Sequence, residues 1–135
     1  MSELNSRQWH LYNFLKERGE SWTLQENIAY ALKDFYDVST IEGDFHNSRA
    51  RFVMTNDIRT INESSVIQKI IISGPKGVKI ANAEEWQKYI RGEYSLVFKK
   101  LKRLRVKERK GCLNGQTRIV FKQERDTIEA FLHEN

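Results

Sequence analysis

A chain of 135 residues has room for one compact domain and an appendage. Its 39% apolar content, with three Trp, five Tyr and seven Phe, excludes a disordered tail, and no apolar run approaches the ~18 residues that a membrane-spanning helix needs. The formal charge is +5 and the single cysteine, Cys112, allows no internal disulfide, so the composition predicts a soluble, intracellular protein in a reducing compartment.

The charge is unevenly placed. From Lys99 to Lys110 (KKLKRLRVKERK) eight Lys or Arg stand against one Glu, a local charge of +7, which leaves −2 over all other residues. The chain therefore reads as a nearly neutral body carrying one cationic rod, and the search for a partner starts at that rod.

In chain order, Leu11, Tyr12 and Leu15 fall at helical spacing between Ser6 and Arg18, and Gly19 stops this first helix. Thr23 with Glu26 three residues later reads as a capping box, and Ile28, Ala29, Leu32 and Phe35 supply one apolar face for a second helix. Asp37 to Asp44 loses the periodicity, contains Gly43 and reads as a loop. Asn47 is the expected cap of a third helix running to about Ile61, with Ala50, Met54, Ile58 and Ile61 on one stripe. Ser48, Phe52, Thr55, Asn56 and Arg59 fall on the opposite side, flanked by Arg49 and Arg51.

The period then changes. Ile67 to Ser73 and Val78 to Ala81 read as short strands joined by the turn Gly74-Pro75-Lys76-Gly77, a β-hairpin with a basic tip. Asn82 and Glu85 form a further cap pair, and the helical pattern behind them extends to Lys110, about 28 residues or roughly 42 Å. Gly111 to Gly115 reads as a loop, Ile119-Val120-Phe121 as a short strand, and Ile128, Phe131 and Leu132 as the apolar side of a terminal helix.

Few residues support chemistry. His10, His46 and His133 are scattered without zinc-ligand spacing, and the glycine turn lacks the Gly-x-x-x-x-Gly-Lys-Ser/Thr pattern of a phosphate loop. Cys112 has no base assigned to it by sequence, and Glu84-Glu85 sits where acidic side chains favour a helix start. The reading is of a protein that is not an enzyme and needs no metal or cofactor. The sequon at Asn62 is read as accidental.

The order of three helices and a β-hairpin matches a helix-turn-helix followed by a wing. On the run Arg49-Ala50-Arg51-Phe52-Val53-Met54-Thr55-Asn56-Asp57-Ile58-Arg59-Thr60-Ile61-Asn62, with Lys69 to Ser73 and Gly77 to Ala81, the chain resembles the winged helix-turn-helix DNA-binding domains of bacteriophage and prophage proteins. The resemblance covers roughly residues 6 to 90. It implies an α+β, mostly α fold, with a winged helix-turn-helix domain over residues 1–82 and a long basic helix and C-terminal helical segment over residues 83–135. It also implies a sequence-preferring double-stranded DNA-binding protein acting in transcription regulation or as a replication accessory. Arg49, Arg51, Phe52, Thr55, Asn56 and Arg59 would face the groove, and Lys76 and Lys79 on the wing would bind phosphate.

The rod is amphipathic: Val97, Leu101 and Leu104 share one stripe while Lys99, Lys102, Arg103 and Lys110 point away from it. Lys99, Lys102 and Arg103 are candidates for tracking DNA phosphates, against the alternatives of a solvated face of a packed helix, an acidic protein partner or a membrane surface. The absence of aromatics within the rod argues against membrane insertion. The stripe Ile90, Tyr94, Val97, Leu101, Leu104 is either a homodimer seam or a face packed on the terminal helix. The competing functional class is a protein-interaction module on the same scaffold, a host-takeover inhibitor or assembly adaptor.

Overall fold

A computed structural model describes residues 3–110 and 121–133 of the chain. The protein is mostly helical with a small two-stranded antiparallel sheet, and it divides into two compact units, Met1–Tyr89 and Ile90–Asn135. The division falls inside one helix. The first turns of that helix are tied to the N-terminal unit by Glu85, which pairs with Lys79.

In the N-terminal unit, α1 spans Ser6–Arg18. Asn5 caps it: its side chain accepts from Gln8 N at 2.8 Å while the Gln8 amide oxygen accepts from Asn5 N at 3.0 Å. Gly19 ends it with φ +60°, a conformation open to glycine without strain. Leu11 and Leu15 turn inward and are fully buried.

The second helix, α2, is shorter than its apolar pattern suggests, Gln25–Ala31, and is capped by Leu24 without a side-chain bond. Thr23 makes no capping box. Its backbone pairs with Val78 (N–H to O 3.0 Å, and 2.9 Å in return), and its hydroxyl accepts from Arg18 Nε at 3.1 Å. With its carbonyl accepting from Val78 and its hydroxyl from Arg18, Thr23 leaves the cap position to Leu24.

The stretch between α2 and the next helix is built from two single turns of 3-10 helix, Val38–Thr40 and Phe45–Asn47. Each starts at an aspartate whose carboxylate accepts a backbone N–H two residues on, Asp37 from Ser39 and Asp44 from His46 at 3.0 Å. Asn47 is therefore consumed by the second turn, and Ser48 caps α3, Arg49–Glu63, accepting from Arg51 N at 3.2 Å. The expected stripe of Ala50, Met54, Ile58 and Ile61 is buried and packs with Leu11, Leu15, Ile28, Ala29 and Tyr36 into one core.

The sheet pairs β1, Ile71–Gly74, with β2, Gly77–Ile80, in register Ile71 to Ile80 and Gly74 to Gly77, leaving Pro75 and Lys76 as a two-residue tip. Thr23 bridges to the other side of β2 at Val78. Gly77 has φ +116°, and a Cβ there would collide with the Thr23 carbonyl, so only glycine suits this close approach. The first strand starts four residues later than its β-branched run. The Asn62 side chain brackets Ile71, donating to its carbonyl at 2.9 Å and accepting its N–H at 2.7 Å, while Ile67 is spent as a core residue.

The long helix α4 spans Ala83–Lys110, as its pattern indicates, and begins with the expected cap pair: Glu85 N to Asn82 Oδ1 at 2.9 Å and Asn82 N to Glu85 Oε1 at 3.0 Å. In the C-terminal unit, residues 111–120, and with them the expected loop and the residues Ile119 and Val120 of the expected strand, lie outside the described residues. The terminal helix α5 spans Lys122–Leu132. Arg125 on α5 forms an ion pair with Glu108 on α4, beside a shallow cavity of about 530 Å³ lined by Leu104, Phe121 and Ile128. No helix among the described residues is long and apolar enough to cross a membrane.

Candidate nucleic-acid interface

The two sides of α3 have opposite characters. With its stripe in the core, Arg49, Arg51, Phe52, Thr55 and Arg59 are exposed and Asn56 is half-buried, so all six candidate groove residues lie on the open part of one 15-residue helix. Phe52 is 64% exposed. It does not fold back onto the preceding loop, and an aromatic ring left in water contributes little to stability. Arg51 is partly engaged, donating to the His46 carbonyl at 3.2 Å, while the Asn56 carbonyl accepts from Thr60 Oγ1 at 3.0 Å and its side-chain amide is in no described hydrogen bond.

The rotation of this helix about its own axis is set from behind. Asp57 lies on the buried stripe between Met54 and Ile61 and is 2% exposed. Its carboxylate accepts from Arg7 Nε at 2.6 Å, Arg7 Nη2 at 2.9 Å, Gln8 Nε2 at 3.1 Å and Tyr36 OH at 2.7 Å. The forked Arg7 contact is the bidentate arrangement that makes arginine–carboxylate pairs strong. The hydrogen bond to Asp57 raises the Arg7 pKa, and burial followed by the Asp57 contact raises that of the Tyr36 phenol, so both keep their protons at any working pH. Three elements, α1, α3 and the turn after α2, thus meet on one aspartate. Hydrophobic patterning passes over Asp57 because it is charged; the available signal is a carboxylate at the centre of an otherwise apolar helical stripe.

The hairpin does not supply two free cations. Lys76 at the tip is exposed. Lys79 is a correction to the expected phosphate anchor: its side chain is 3% exposed, and its ammonium is held by Glu20 at 2.9 Å and Glu85 at 2.8 Å, 5.6 Å from the Trp22 ring centroid. These contacts, that with Glu20 foremost, raise the Lys79 pKa. The Glu20 carboxyl is lowered by Lys79 and then Asn82, and that of Glu85 by the Asn82 backbone N–H and then Lys79. The residue sits in register opposite Ile72, yet the next helix and the α1 terminus close over it. A cation already neutralised by two carboxylates has no charge to offer a phosphate.

Lys99, Lys102 and Arg103 are exposed on the part of α4 that belongs to the C-terminal unit. Among the described residues no group of three or more His, Cys, Asp or Glu converges as a metal site would require. No protein-family model, curated protein or solved structure matches this chain.

Proposed function

We propose that the protein binds double-stranded DNA through a winged helix-turn-helix, with α3 as the groove-reading helix and the β1–β2 hairpin as the wing, in the role of a phage or prophage regulator or replication accessory. The observation that carries this reading is the outward face of α3, where Arg49, Phe52, Thr55, Asn56 and Arg59 stand in a row on a helix whose other side is core. Arginine donates twice to guanine O6 and N7, asparagine pairs twice with adenine, and an exposed ring meets the thymine methyl. Each good bidentate pair discriminates by ~1–3 kcal/mol. The Thr23 bridge to Val78 supports the reading, since a single extended residue between the first two helices pairs with the free edge of the hairpin. Lys76 and the cations of α4 supply the sequence-independent part of the affinity.

The test is a mobility shift with mixed duplex DNA over a salt series, followed by selection of bound sequences. Binding is expected at ~50 mM salt and falls steeply as salt rises. Asn56→Ala with Arg59→Ala removes sequence preference and keeps non-specific binding, whereas replacing Lys99, Lys102 and Arg103 by Ala lowers the salt slope by about 3 without altering the preferred sequence. Absence of binding at ~50 mM salt, where phosphate contacts are strongest, would overturn the proposal.

A further inference from the structure

Among its described residues the C-terminal unit has almost nothing of a core. No residue of α4 or α5 is buried, and Tyr94, Val97, Phe98, Leu104, Phe131 and Leu132 are each at least half exposed. A helix pair that leaves so much apolar surface in water lacks the burial that normally holds such a pair together. The apolar residues are nonetheless ordered along α4: Ile90, Tyr94, Val97, Leu101 and Leu104 recur at steps of four and three.

We infer that this stripe is the seam of an antiparallel homodimer, with the α4 helices of two copies crossing at Val97. The spacing is nearly symmetric about that residue. With Val97 against Val97, Ile90 meets Leu104 of the second copy and Tyr94 meets its Leu101. Phe98, 56% exposed, then also meets its own copy beside the axis.

Charge selects this direction. A parallel pair would lay the +7 segment Lys99 to Lys110 along its own copy, with Lys100 beside the other copy's Arg105 on both flanks. The antiparallel pair sends the two cationic segments to opposite ends and sets Glu93 beside Lys100 of the second copy, twice by symmetry. Those two attractions offset the approach of Arg91 to the second copy's Arg105. Tyr94, Val97, Phe98 and Leu104, each at least half exposed, together with the partly covered Ile90 and Leu101, would bury on the order of 1,000 Å² over the two copies, at the lower end for specific pairing.

The test is made without DNA, so its outcome is independent of the groove-reading proposal. Light scattering on the full chain over ~1–200 µM should show the mass rising from 16.0 kDa toward twice that value. Val97→Lys should weaken association at least tenfold while leaving the helix signal in circular dichroism unchanged. Direction is read by crosslinking in a Cys112→Ser background. Val97→Cys should oxidise to a covalent dimer, whereas Ile90→Cys and Leu104→Cys should each stay monomeric alone and crosslink when mixed. A monomer at every concentration would overturn the inference, as would Leu104→Cys crosslinking to itself as fast as Val97→Cys.

Discussion

Asp57→Asn is the most direct probe of how α3 is held. The substitution keeps the shape of the side chain and removes its charge. It also replaces one of two acceptor oxygens by a donor, in a site where Arg7 (two contacts), Gln8 and Tyr36 all donate. One side of the new amide must face donors, so whichever way it turns the Arg7 fork loses one of its two contacts, together with that of either Gln8 or the Tyr36 hydroxyl. Breaking a buried pair from one side costs ~3–5 kcal/mol, and the Arg7 side chain, one-third exposed, recovers part of this from water, which leaves about 3 kcal/mol. For a folding unit of this size, with m near ~1 kcal/mol/M, the urea midpoint should fall by about 2–3 M. All three tryptophans, Trp9, Trp22 and Trp86, lie in the N-terminal unit, so their fluorescence reports its unfolding alone. Tyr36→Phe removes one of the four contacts and should cost only ~1 kcal/mol. A midpoint for Asp57→Asn within ~0.5 M of the parent at equal m would refute the argument that this carboxylate is the charged partner of Arg7.

Other expectations follow from single contacts. Gly77→Ala should destabilise the N-terminal unit by about 2 kcal/mol or more and detach Thr23 from Val78, seen as loss of amide protection at Val78; retained protection would contradict the close approach described. Phe52→Ala should leave the thermal midpoint almost unchanged, because the ring is already in water, while weakening binding to the selected DNA; a large drop in stability would mean the ring is packed. Because the Glu20 and Glu85 carboxyls are lowered below their ordinary 4.5, the stability they lend is complete above that value and is lost as pH falls further. The raised Lys79 contributes below its ordinary 10.5 and loses its share only as pH climbs past it, so the stability profile should be flat between these limits. Replacing both glutamates by Gln should remove part of the difference between pH 3 and pH 7 measured by urea unfolding, and an unchanged difference would show the carboxylates to be idle.

Local periodicity was enough to delimit α1 at Ser6 and Arg18, to place Ala50, Met54, Ile58 and Ile61 on the buried side of α3, and to find α4 from its Asn82–Glu85 cap to Lys110. These features depend on neighbours three or four residues apart, which the chain carries in its own order. The exposed candidates on α3 were legible for the same reason, as the complement of the apolar stripe. Three things were decided only when distant segments met. Thr23 became a strand partner of Val78, a residue 55 positions away, and left the cap position of α2 to Leu24. Lys79 reads as a surface cation on a hairpin, yet it is enclosed by Glu20, Glu85 and Trp22, drawn from a helix end, a helix start and a loop. Asp57 reads as a polar interruption, yet it is the point on which Arg7, Gln8 and Tyr36 converge. A charge's fate depends on which opposite charges surround it, and that is a property of the assembled fold. Sequence alone thus determined which face of α3 is open, while tertiary structure decided which cations remain free to use it.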